Sequence, residues 1–244
     1  MSTKAVVVSS MARIRRMLRW VARAAGWRAA ARAGPAEGLI AAACHGDAAA
    51  VQALLAKGAK VNAKDRQGKT ALYAASEHGH LDVVQALLAN GADVNDFFVG
   101  TALMAASEQG HLDVVQALLA NGADVNAVKG IRTWSMTALE GAAVGGHADI
   151  VQALLANGAK VNAKTHHGRT ALICASQLGR LDVVQALLAG GADVNAKKSY
   201  GGTALDAATA GGHADVRALL VQAGAKTMTA PASTHLAWPA RKDA

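Results

Sequence analysis

Thr70-Ala-Leu-Tyr-Ala-Ala-Ser-Glu-His-Gly-His-Leu-Asp-Val-Val-Gln-Ala-Leu-Leu-Ala-Asn-Gly-Ala-Asp-Val-Asn95 is the stretch whose reading decides the fold. Thr70 places a side-chain oxygen where it caps a short helix, and Gly79 ends that helix. A second helix follows at once. Asp82 sits in its first turn, where a carboxylate suits the helix dipole, and Val84, Leu87 and Leu88 supply an i, i+3, i+4 apolar stripe. Asn90 and Gly91 turn the chain, and Ala-Asp-Val-Asn leads into an extended connection. The unit reads as helix, turn, helix, projecting loop.

The unit recurs. Thr-Ala-Leu stands at Thr70, Thr101, Thr137, Thr170 and Thr203, with spacings of 31, 36, 33 and 33 residues, and Leu39 to Asn62 matches the unit without its threonine. That makes six units. A unit of about 33 residues cannot bury an adequate core alone, so neighbours must stack and stability must run along the array. Composition agrees: the hydrophobic fraction of 52% is inflated by Ala, and only eight residues are aromatic, which suits a long, narrow core cemented by Leu, Val and Ala. The terminal units read as caps. The first has Asp47-Ala-Ala-Ala50 where inner units have His-Leu-Asp-Val, and the last breaks off after Gly224-Ala-Lys226. Three segments follow: a basic stretch over residues 1–35, the repeats over 36–226, and a tail over 227–244 that holds Pro231 and Pro239 without apolar period.

These residues resemble the ankyrin repeat family, whose unit reads Gly-x-Thr-Pro-Leu-His-x-Ala-Ala, then Gly-His, a Val and Leu-Leu helix, Gly-Ala and Asn. The resemblance implies an all-α solenoid of stacked helix-turn-helix units with projecting hairpin-like loops, and partner binding on the concave face of loop tips and first helices. The chain departs from the pattern twice. Ala71, Ala102, Ala138, Ala171 and Ala204 stand where the family has Pro, losing a fixed backbone angle at the first helical position. Tyr73, Met104, Glu140, Ile173 and Asp206 stand where it has His, so any loop bracing by that His is lost and the loops are expected to be looser.

Differences between units show where a partner would be read. The second helices hardly change; His80 to Asn95 and His111 to Asn126 are identical. Variation gathers in loops and at first-helix ends. The loop before Thr101 is two residues short and reads Asp96-Phe-Phe-Val-Gly100, and the next is three residues long in excess and reads Val128 to Met136. Large aromatics and Arg most often carry interface energy, so Phe97, Phe98, Arg132, Trp134 and Tyr200 lead the candidates, joined by His166 and His167 in a later loop. A second reading of the short loop folds Phe97 or Phe98 back onto adjacent helices. First-helix ends add Glu77, His78, Glu108, Gln109, Gln177 and Leu178, against the reading that they are ordinary solvated residues. A partner face of this kind buries on the order of 800 Å² per partner.

Catalytic and metal chemistry find no pattern. His80, His111, His147 and His213 occupy one repeated position and are spread along the array, so they read as structural hydrogen-bonding groups; metal ligands must converge. The His166-His167 pair has no third ligand at a recognisable spacing. There is no phosphate loop, nucleophile elbow or Cys-His arrangement whose spacing implies catalysis, and the expectation is a monomeric protein-binding module with no enzyme activity, cofactor, metal or small-molecule substrate. Cys44 and Cys174 lie 130 residues apart at non-equivalent repeat positions, which argues against a disulfide and for a reducing, cytoplasmic compartment. No apolar run reaches the roughly 18 residues a membrane-spanning helix needs.

The formal charge of +8 is unevenly placed. Residues 1–34 hold eight Lys or Arg and no acid, and the 17 basic residues that follow balance the 17 acidic ones. From Met11 to Ala25 the chain can form an amphipathic helix, with Ile14, Met17, Leu18 and Val21 on one face. Arg13, Arg15, Arg16, Arg19 and Arg23 make it a candidate tether to an anionic membrane or to nucleic acid, or a targeting segment, while an extra cap on the first repeat or a disordered tail is the alternative.

Overall fold

The computed structural model describes residues 35–97, 100–131 and 134–226. Among these the chain forms twelve helices in six pairs: α1 Pro35–Cys44 with α2 Ala48–Ala56, α3 Ala71–Glu77 with α4 Leu81–Ala89, α5 Ala102–Gln109 with α6 Leu112–Ala120, α7 Ala138–Gly145 with α8 Ala148–Ala156, α9 Ala171–Gln177 with α10 Leu181–Ala189, and α11 Ala204–Gly211 with α12 Ala214–Gln222. First helices pack on neighbouring first helices and second helices on neighbouring second helices, so the array is an all-α solenoid.

Local chemistry sets each pair. Thr70, Thr101, Thr137, Thr170 and Thr203 are extended, buried N-caps whose hydroxyls accept from the backbone N–H three residues on. At Thr203 the bond is reciprocated by Asp206, which completes a capping box. The Ala that replaces the family's Pro is buried at every one of these sites, 4% exposed or less, so a methyl-sized side chain lets adjacent first helices approach closely. Leu39, Leu72, Leu103, Leu139, Leu172 and Leu205 then form one row of the core, and Val51, Leu87, Leu118, Leu154, Leu187 and Leu220 belong to the same continuous cluster from the second helices. Burying each such side chain contributes about 2 kcal/mol.

The first pair shows what a terminal unit changes. His80 at the start of α4 bonds back to the preceding unit, but no unit precedes α2 among the described residues, and Asp47 there caps its own helix by accepting from Ala50 N at 3.1 Å. At the other end, Val221 is 56% exposed, whereas the equivalent Leu188 packs against the core.

Loops project as the resemblance implies. Lys64 and Thr70 form an antiparallel bridge, closed by Asp65, whose Oδ1 accepts from Gln67 N and Lys69 N at 2.8 and 2.9 Å. The lengthened loop makes a true hairpin, β1 Lys129–Ile131 against β2 Trp134–Met136, with Ile131 opposite Trp134. Its three extra residues supply the strand length that the other loops lack.

One row of polar side chains lies inside the stack. Ser76, Ser107 and Ser176 occupy the same position of α3, α5 and α9, are wholly buried, and their Oγ atoms have no hydrogen-bond partner among the described residues. Ala43 and Ala143 fill the equivalent position in the first and fourth units, and Thr209, whose hydroxyl donates to Leu205 O at 2.7 Å, fills it in the sixth. A buried hydroxyl without a partner is destabilising, so replacing all three by Ala is expected to raise unfolding stability by about 1 kcal/mol per site, read as a higher urea midpoint. A lower midpoint would show that these hydroxyls are satisfied.

Candidate partner-binding surface

Two ladders hold the surface in place. The first runs along the helix turns. His80, His111, His147 and His213 donate through Nε2 to the backbone carbonyls of Cys44, Glu77, Glu108 and Gln177 in the preceding unit, at 3.1 to 3.2 Å. The repeated histidine is thus an inter-unit strut, and its ring fills the space beside the preceding unit's turn glycine. Arg180 stands in this position once.

The second ladder runs along the loops. Asn62, Asn95, Asn126, Asn162 and Asn195 each donate through Nδ2 to a glycine carbonyl of the next unit, Gly91, Gly122, Gly158, Gly191 and Gly224. Each also accepts through Oδ1 from a backbone N–H two residues further on, at 2.8 to 2.9 Å. The loops are therefore braced, contrary to the expectation drawn from the missing family His. The amide can do this because it both donates and accepts.

On this scaffold the candidates separate. Tyr200 is 88% exposed, Phe97 46% and Leu178 45%, and His167 is also exposed, so these side chains lie open on the loop tips and a first-helix end. Phe97 stands about half in the open, and the reading in which Phe98 folds back onto the helices lies outside the described residues. Glu108, Gln109, Gln177 and His78 are exposed at first-helix ends, although His78 Nδ1 is tied to Ala74 O at 2.9 Å. Glu77 is half-buried and its Oε2 takes Lys69 Nζ at 3.0 Å, so its charge is already paired within the chain. Val128, 50% exposed just before the hairpin, was not among the candidates; a lone Val in a loop gives no signal in sequence.

Other candidates fall outside what is described. Phe98 and Arg132 lie outside the described residues, as do Arg13, Arg15, Arg16, Arg19 and Arg23; Trp134 lies in β2 and His166 in a short 3-10 turn, with nothing further described of their side chains.

A buried polar cluster sits under the loops between α7 and α9. Cys174 Sγ donates to Glu140 Oε1 at 3.1 Å and accepts from Arg169 Nη2 at 2.9 Å, and Arg169 reaches Glu140 Oε1 at 3.5 Å. Glu140 is 5% exposed, and its Oε2 has no hydrogen-bond partner among the described residues. Its position is the one where the family carries His, so the cluster replaces one local brace by another. Sequence could not reveal it, because Glu140 and Cys174 are 34 residues apart.

Burial, followed by the neighbouring Glu140 carboxylate, pushes the Cys174 thiol from an ordinary 9.0 up to about 12. The folded chain therefore holds this proton after the unfolded chain has released it. The resulting stability is full below pH 9 and is lost as pH rises toward 12. Relative to Cys174→Ala, a residue found at the equivalent positions 74, 105 and 207, the native chain is expected to lose about 1.4 kcal/mol per pH unit in that window. Parallel pH profiles for the two proteins in denaturant titrations would contradict it.

Among the described residues no group of three or more His, Cys, Asp or Glu could hold a metal ion, and no helix is long and apolar enough to cross a membrane. Both cysteines are free thiols.

Comparison with known proteins places this geometry. The profile of the family described as Ankyrin repeats (3 copies) matches residues 39–129, 103–198 and 139–230. Among solved structures, the crystal structure of the human ASB11 ankyrin repeat domain is similar, with 30% identity and a TM-score of 0.70 over 77% of this chain and 84% of that one. No curated protein matches.

Proposed function

The chain belongs to the ankyrin repeat family, and from that premise we propose that it is a protein-interaction scaffold whose loop tips and first helices hold a partner protein. Ankyrin repeats are generally protein-interaction modules and typically non-enzymatic. The single observation that carries the finer reading is the exposure of Phe97, Leu178 and Tyr200 on a braced frame. A partner that covers these side chains gains their burial on a frame already held by the Asn and His ladders.

The proposed module acts as a monomer in the cytoplasm, with residues 36–226 as the binding unit. Its test is affinity capture from the native cell with the full chain and with a chain lacking residues 1–34. Retention of the same partner by both chains is the expected result. Loss of every partner on truncation would move the function to the basic segment, where salt-sensitive attachment to an anionic surface is the competing reading.

A further inference from the structure

The repeat body, residues 36–226, is nearly neutral in sum, with 15 Lys or Arg against 16 Asp or Glu, but its charge changes sign along the array: residues 57–69 hold five Lys or Arg and one Asp. Between Thr70 and Val128 the chain has seven Asp or Glu residues and no Lys or Arg. From Lys160 to Arg180 it has four Lys or Arg residues and no acid, and the next loop adds Lys197 and Lys198. Loops of the second and third units are therefore acidic, and those leading into the fifth and sixth are basic.

The two basic loops are joined into one platform. Ser199 N donates to His167 O at 2.8 Å, and the His167 and Tyr200 rings lie 5.7 Å apart at a tilt of 45°. The contact is close: a Cβ at Gly168 would come within 2.9 Å of Ser199 N. His167 itself has φ +62°, a left-handed conformation seen at no other non-glycine residue among those described. Such backbone is costly for a residue with a side chain, and it is held here by the neighbouring loop. Lys164 and Lys197, in the same two loops, are exposed, and Tyr200 is 88% exposed.

We propose that this platform, Lys164, His167, Lys197, Lys198 and Tyr200, binds an acidic protein segment that carries an apolar residue. Its carboxylates meet the three lysines, and its apolar side chain packs on Tyr200 and His167. This inference rests on the partner-binding reading and names the chemistry of the partner. A single-stranded nucleic acid would also favour cations beside rings, but one long enough to follow the solenoid would run its phosphates over the acidic loops, where Asp93 and Asp124 are exposed. A protein segment can change charge along its length; a phosphate backbone cannot.

The test is fluorescence anisotropy of a labelled glutamate-tyrosine random copolymer titrated with the full chain, with a 20-nucleotide oligo-dT as the contrasting probe. Lys197→Glu with Lys198→Glu is expected to weaken copolymer binding about ten-fold, and Tyr200→Ala about five-fold. Arg15→Gln with Arg16→Gln and Arg19→Gln is expected to leave the loop-dependent part unchanged, and oligo-dT to bind more weakly than the copolymer. Copolymer binding that ignores the loop substitutions, or oligo-dT binding as tight with the same loop dependence, would overturn the proposal. The broader scaffold reading fails separately: if partners captured from cells survive Lys197→Glu with Lys198→Glu but are lost with Phe97→Ala and Tyr200→Ala, the scaffold stands and the acidic-segment assignment falls.

Discussion

Gly110→Ala is expected to cost about 2–3 kcal/mol, while Gly122→Ala in the same unit costs only about 1 kcal/mol. Both glycines have positive φ, +87° and +80°, so both replacements carry the backbone penalty of a left-handed alanine. Their surroundings differ. An added Cβ at Gly122 meets nothing within 4 Å, whereas at Gly110 it would lie 2.5 Å from Cε1 of His147. The ring must swing away, and the 3.2 Å bond from His147 Nε2 to Glu108 O breaks with it. That bond joins the third and fourth units, so the damage falls on an interface on which a stacked array depends. In a His147→Ala background there is no ring to displace, and Gly110→Ala should cost only the backbone term. Equal costs in the two backgrounds, measured by denaturant unfolding, would remove the His strut from the account.

Phe97→Ala with Tyr200→Ala is expected to lower partner affinity at least 30-fold and to leave the melting temperature within about 2 °C of the native chain. The binding loss follows from truncating two anchors whose burial is supplied by the partner. The stability result follows from their exposure, since neither side chain belongs to the core cluster. The two loops lie three units apart. At the 8–10 Å spacing of packed helices they are separated by roughly 30 Å, so a partner that uses both must span most of the array. A partner confined to one end would respond to one substitution and ignore the other.

Much of the fold could be read in the sequence because a repeat protein states its rule several times. Thr70 and its equivalents mark helix starts by a bond to a near neighbour, and Gly79 marks a helix end by its own conformation; both are local. The repeated His was legible as structural because four copies at one position cannot converge, although its acceptor could not be named: Cys44 O and its equivalents belong to another unit. The Asn ladder was missed for the same reason. Asn95 looks like a turn residue in sequence, and its partners Gly122 and Asp124 appear only when units stack. Glu140 was read only as a departure from the family. Its burial against Cys174 and Arg169 is a property of the stack. Among candidate contacts, Phe97, Leu178 and Tyr200 were singled out by their variable positions and are exposed, while Glu77 was not distinguishable from Glu108 until Lys69 was placed beside it.

The central claim is that one set of residues folds the solenoid and a different set binds. Its most direct test is quantitative capture from the native cell with the full chain and with Phe97, Leu178 and Tyr200 all replaced by Ala, each protein first checked by thermal unfolding. The expected result is an unchanged unfolding profile together with loss of the partner retained by the native chain. A folded triple variant that keeps that partner at native yield would contradict it and place the binding surface elsewhere.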